Sequence, residues 1–110
     1  MLDPSRTAEF IALLYRSHSV RVHRHSENAS VYFVLTDVCK VLNLSNPSYI
    51  AKKIDKAFKH KHVLLNKNIK NVVVWVNYDG LVQLFDTLPV SATLAEFWLW
   101  CRHVSRNKNV

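Results

Sequence analysis

The residues with most to offer chemically are lysines. Between positions 40 and 70 stand Lys40, Lys52, Lys53, Lys56, Lys59, Lys61, Lys67 and Lys70, opposed by Asp55 alone. The remaining segments carry seven basic and seven acidic residues, so the formal charge of +7 belongs entirely to this stretch. Like charges this close destabilise a compact state, a cost that a polyanionic partner offsets. Ammonium groups neutralise phosphates one at a time and release condensed counterions as they do so. A solvated face that keeps a small protein soluble has the same composition. Charge alone leaves both readings open.

Other reactive side chains point nowhere so clearly. His23 with His25, and His60 with His62, form His-x-His pairs that with Cys39 and Cys101 would supply enough donors for a metal. Their spacing matches no zinc pattern, and both cysteines fall where a helix accepts a small apolar residue. A cysteine nucleophile needs a base, an orienting group and an oxyanion site, and the spacing assigns none. The single glycine, Gly80, excludes Gly-rich phosphate loops. We therefore expect no metal, no cofactor and no enzyme activity. Trp75 and Trp98 fall on core faces. Trp100 lies off the apolar stripe, where exposure would mark a protein interface.

The elements that must carry the lysines follow from hydrophobic periodicity. A chain of 110 residues, 49% apolar and 11% aromatic, builds one domain over 1–110. Its core spans about 20–104 and a polar tail frays from 105. No apolar run is long enough to span a membrane, no secretory leader is visible, and two cysteines suit a reducing compartment. Asp3-Pro4 opens a short helix, although a strand fits Phe10 to Tyr15 nearly as well. Val20–His23 and Val31–Val34 read as a hairpin. Thr36 caps a short helix, with Asp37 at its positive end and Val38, Val41 and Leu42 on one face.

Asn46-Pro47 starts a second helix, whose Ile50, Ile54, Ala57 and Phe58 share a face and leave the lysines outside. The two together look like a helix-turn-helix pair. Val72–Val76 reads as a strand buried on both faces. Asn77 caps a helix that carries Leu81, Leu84 and Phe85 and stops before Pro89. A last helix runs from Ser91 to His103. The expected class is α+β: a small antiparallel hairpin or sheet with about four helices.

On this scaffold Lys52, Lys53, Lys56, Lys59 and Lys61 are the first choice for phosphate contacts. Asn46, Ser48 and Tyr49 open the second helix, where early residues of a recognition helix meet phosphates and base edges. A plain capping role explains Asn46 as well. Arg21 and Arg24 make a basic hairpin that could enter a groove, and Lys67 and Lys70 with Asn66 and Asn68 make a polar loop that could supply a second contact, though an ordinary exposed strand and a solvated loop explain them as well.

The order of these segments resembles a known family. Val31-Tyr32-Phe33-Val34-Leu35-Thr36-Asp37-Val38 through Leu42-Asn43-Leu44-Ser45-Asn46-Pro47 is similar to the signature of the BRO N-terminal domain, shared by baculovirus repeated open reading frames and phage antirepressors. Val20-Arg21-Val22, Val76-Asn77-Tyr78-Asp79-Gly80-Leu81 and Ala95-Glu96-Phe97-Trp98-Leu99-Trp100 agree in order and spacing. Asn43 stands where the family has Gly, and Tyr32 where it usually has Trp. Asn tolerates the left-handed backbone that ends a helix. The resemblance implies a viral or prophage DNA-binding module, with RNA as an alternative ligand, acting in transcription or replication. Its setting would be intracellular: a host nucleus for a eukaryotic virus, the cytoplasm for a prophage. The rival reading is an antirepressor-like module whose basic face meets an acidic regulatory protein, or a homodimer.

Overall fold

The computed structural model describes residues 11–24, 30–66 and 69–107, and over 62–66 and 69–71 the backbone alone. Asp3-Pro4 and Lys67 lie outside the described residues. Five antiparallel strands and four helices make an α+β domain. In chain order they are β1 (Ile11–Tyr15), β2 (His18–Arg24), β3 (Val31–Val34), α1 (Leu35–Val41), α2 (Pro47–Ala51), β4 (Lys59–Asn66), β5 (Ile69–Asn77), α3 (Tyr78–Asp86) and α4 (Ala92–Arg106). A single 3-10 turn covers Lys56–Phe58. The sheet order is β1-β2-β3-β5-β4.

The first element is a strand from Ile11, not the continuation of a helix. Tyr15 pairs with His18 across the two-residue turn Arg16-Ser17, and Arg16 takes the positive φ of 54° that such a turn requires at its first position. The β2–β3 hairpin forms as expected, with Val22 opposite Phe33 and His23 opposite Tyr32. Alternation then sorts the faces. Val20, Val22, Phe33 and Val76 are fully buried against the helices. Tyr32, Val34, Val73 and Trp75 form a second, smaller cluster on the other face. Val72 belongs to neither: it is 62% exposed, so the valine run is not buried throughout.

Strand β3 runs straight into α1 with no loop, which places Thr36 inside the first turn. The capping position falls on Val34, which offers no side-chain acceptor. Asn43 does adopt the left-handed backbone after α1, with φ 55°, and Asn46 does so too, at φ 60°. Asn46 caps α2 by accepting from Tyr49 N at 3.2 Å. Helix α2 ends at Ala51, far short of Phe58. From Lys59 onward the chain joins an eight-pair ladder with β5, which satisfies every second backbone group and outweighs a helix that would cross the same residues. Strand β4 therefore stands where the helical periodicity predicts the end of the second helix and the chain beyond it. Its period-two pattern Lys-His-Lys-His hides as polar sequence.

Helices α3 and α4 form where the periodicity predicts. The Asn77 side chain accepts from Gly80 N at 2.9 Å and that of Ser91 from Leu94 N at 3.1 Å, each satisfying an orphan donor. Helix α4 extends to Arg106, three residues beyond His103. Trp100 is half-buried: its ring stacks on Phe97 at 5.7 Å and lies 5.2 Å from Tyr15. The β1 strand supplies that aromatic neighbour, so Trp100 belongs to the core's border and marks no open interface.

Candidate nucleic-acid interface

The basic residues divide into two groups. The first lies on the β1–β2 side and is occupied internally. Asp37, 5% exposed, accepts from Arg21 Nε at 2.8 Å, Arg21 Nη2 at 3.0 Å and the Arg21 backbone N–H at 2.9 Å. The β2–β3 ladder stops at Val22 opposite Phe33, so the carboxylate takes over the strand N–H one residue past the last rung. The hydrogen bond to Asp37 raises the Arg21 pKa above its ordinary value, with the carboxylate's charge adding and burial opposing. Arg24 donates to the Asn107 backbone oxygen at the end of α4. Arg16 pairs with Glu96. These guanidiniums tie the amino-terminal hairpin to α1 and α4.

The second group follows α2. Lys52, Lys53, Lys56 and Lys61 are exposed. Lys52 and Lys53 sit in the turn after α2, Lys56 in the 3-10 turn and Lys61 on the outermost strand, β4. No carboxylate among the described residues pairs with them. The one acid within the segment, Asp55, spends its side chain on capping Ala57 N at 3.0 Å. Its backbone N–H donates to Gln83 Oε1 at 2.9 Å, which fixes the turn against α3. The Lys53 ammonium lies 4.8 Å from the Tyr49 ring centroid, a cation–π contact that steadies it at the surface.

Lys59 differs from its neighbours. It is half-buried, and its Nζ donates to the Ala51 carbonyl at 2.5 Å. It closes the C-terminal end of α2 against the start of β4, a structural role that counting charges does not reveal. Ser48 and Tyr49 are exposed, Tyr49 against Lys53, and Asn46 is engaged as a cap. Lys70 stands on β5 opposite Leu65. Lys40 is exposed on α1.

The structure places Lys52, Lys53 and Lys56 between α2 and β4, with Tyr49 against Lys53, and Lys61 on β4 itself. It sets Arg21 and Arg24 apart: β2 is three strand positions from β4, about 14 Å at ordinary strand spacing. Among the described residues no three His, Cys, Asp or Glu side chains are grouped to hold a metal. Cys39 and Cys101 are buried free thiols. Burial pushes the Cys39 thiol up to about 11 and that of Cys101 further. No helix among the described residues is long and apolar enough to cross a membrane.

Gly80 is a positioning residue that the charge pattern misses. A Cβ there would meet Val76 Cγ1 at 2.4 Å, Phe58 Cβ at 3.0 Å and Ile54 Cγ2 at 3.1 Å. The start of α3 thus lies directly on β5 and on the segment carrying the lysines. A lone glycine inside a helical apolar pattern was the available signal.

Residues 19–104 match the family described as Bro-N: BRO family, N-terminal domain. The chain belongs to the Bro-N family. Its fold is also similar to a solved structure, the N-terminal domain of Orf22, a Cydia pomonella granulovirus envelope protein. The two share 11% identity at a TM-score of 0.66, over 87% of this chain and 93% of the other. No curated protein matches this chain in sequence. The Bro-N match covers nearly all of β2 through most of α4 and includes Arg21 and Arg24 as well as the lysines after α2, so family membership alone does not choose between them.

Proposed function

We propose that this Bro-N domain is a viral or prophage nucleic-acid-binding module that grips phosphates with Lys52, Lys53, Lys56 and Lys61. One observation carries the reading: four exposed ammonium groups lie within ten residues of chain, and the only acid among them is turned to a backbone cap. Unpaired charges of one sign destabilise the folded state unless a counter-charge arrives. Lysine is a mobile point charge, suited to a phosphate chain more than to reading a base. Affinity therefore comes mainly from counterion release, and sequence preference is modest. A domain that holds DNA in this way serves transcription or replication by occupying or presenting a stretch of the genome.

The test is a salt titration of fluorescence anisotropy with labelled polynucleotide. Log affinity should fall linearly with log salt, with a slope of roughly 0.9 per phosphate contacted on duplex DNA. The combined variant Lys52→Glu, Lys53→Glu, Lys56→Glu should keep its melting temperature and lose binding. Unchanged binding by that folded variant would remove the assigned face. Capture of a stoichiometric acidic protein after nuclease treatment, with no affinity for polynucleotide, would replace it with the antirepressor-like reading.

A further inference from the structure

The sheet is not flush. Strand β3 pairs with β5 only over Asn77, Val76 and Trp75. The β4–β5 ladder continues for six more pairs, from Lys61 opposite Val74 to Asn66 opposite Ile69. At 3.4 Å per residue this two-stranded arm extends about 20 Å beyond β3. Among the described residues no other strand of the sheet flanks it there.

We propose that the β4–β5 arm enters the major groove of B-form duplex DNA. The inference rests on the nucleic-acid reading above and specifies its ligand and its groove. The electrostatics favour a polyanion along the whole arm: no Asp or Glu occurs anywhere from Lys56 to Tyr78. Lys61 lies exposed at the base, and Lys70 stands one pair from the end of the ladder. The shape fits as well. A major groove about 12 Å wide admits a two-stranded ribbon. The expected recognition helix is excluded by its size, since α2 has five residues and spans about 7.5 Å.

The arm also has the means to contact a groove floor. Val72 is 62% exposed, and an apolar side chain there suits the thymine methyl group. Among the described residues the outer edge of β4 has no neighbouring strand, so its outward backbone N–H groups are placed to meet phosphates.

A groove-entering arm must be held at its root, because an isolated two-stranded ribbon is marginal. The structure supplies that hold. Lys59 is clasped by the Ala51 carbonyl, the His60 ring lies 5.2 Å from Tyr32, and the Trp75 ring lies 5.4 Å from His23. Val76 is wedged against Gly80.

A-form RNA has a major groove too deep and narrow for side chains to read. The arm therefore predicts a preference for duplex DNA over duplex RNA of the same sequence. The experiment compares both duplexes, with netropsin as a minor-groove competitor, for the wild-type chain and for two variants. In one, residues 63–72 are replaced by Asn-Gly, which closes a two-residue turn between His62 and Val73. In the other, Lys70→Glu keeps the arm at full length and leaves Lys52, Lys53, Lys56 and Lys61 untouched, so a folding failure of the first leaves the question answerable. The wild type should favour duplex DNA by on the order of tenfold and ignore netropsin. The folded short-arm variant should lose that preference while keeping weak, salt-dependent binding through Lys52, Lys53 and Lys56. The charge-reversal variant should lose affinity for DNA more than for RNA.

Equal affinity for both duplexes, displacement by netropsin, or wild-type DNA affinity in either variant would overturn the arm proposal while leaving the phosphate-binding border standing. Sedimentation showing a dimer that only the short-arm variant dissolves would also overturn it. Absence of any polynucleotide binding at low salt would defeat the underlying reading itself.

Discussion

The two sides of this sheet use positive charge in opposite ways. On the β1–β2 side, arginines reach specific oxygens far away in sequence: Arg21 to Asp37, Arg16 to Glu96 and Arg24 to the Asn107 carbonyl, across separations of 16, 80 and 83 residues. On the β4 side, lysines project without carboxylate partners among the described residues. Guanidinium offers a rigid fork that gains from fixed geometry, whereas ammonium offers a point charge on a flexible stem. The first side closes the fold and the second leaves charge available. Equal formal charges thus contribute unequally, and only pairing tells them apart.

The sharpest way to break this contrast is at the buried pair. Asp37→Ala strips Arg21 of both guanidinium bonds and leaves a strand N–H unmet. Urea unfolding should show a loss of about 3 kcal/mol, the lower end for a buried pair because Arg21 is half-exposed. A loss below about 0.5 kcal/mol, the size of an ordinary surface substitution, would mean the arginine side is no more structural than the lysine side.

Gly80→Ala should cost about 1–3 kcal/mol through overpacking. Val76 is fully buried and cannot yield, so the start of α3 or the 54–58 segment must shift. Because Gly80 also seats the lysine border, any remaining nucleic-acid affinity should fall with it. Thermal melts that match the wild type would show that this close approach relaxes without strain. Ser91→Ala, which removes the α4 cap, should cost about 1 kcal/mol in the same assay.

Alkaline pH separates the sides by another route. Cys39, held up to about 11, keeps its proton when folded while an unfolded thiol releases it near 9.0. Stability is unaffected below that value and declines as pH rises from there toward 11. Both thiols should resist Ellman's reagent in the native protein and react on unfolding. Rapid native labelling would show that the helical core opens locally. The smallest effect on stability belongs to Lys52→Glu, Lys53→Glu, Lys56→Glu: a change within about 0.5 kcal/mol, read in the same melts that accompany its binding test. A large destabilisation there would assign these lysines to the fold.

Much of this was legible in the sequence because it is local. Asn77 and Ser91 announce α3 and α4 through side chains that satisfy N–H groups three residues on. The β2–β3 hairpin follows from two β-branched runs around a polar turn, and the charge excess needs only counting. Tertiary structure decided what local pattern cannot. Ala57 and Phe58 fit a helical stripe, yet the β5 partner claims the chain from Lys59 because the eight-pair ladder also satisfies backbone groups of β5 that a longer helix would leave unmet. Arg21 and Lys61 read alike as cations, and only folding shows one bound to Asp37 and the other facing solvent. The reason is range: capping and periodicity act over three or four residues, whereas strand pairing and ion pairing depend on which distant segments the core brings together.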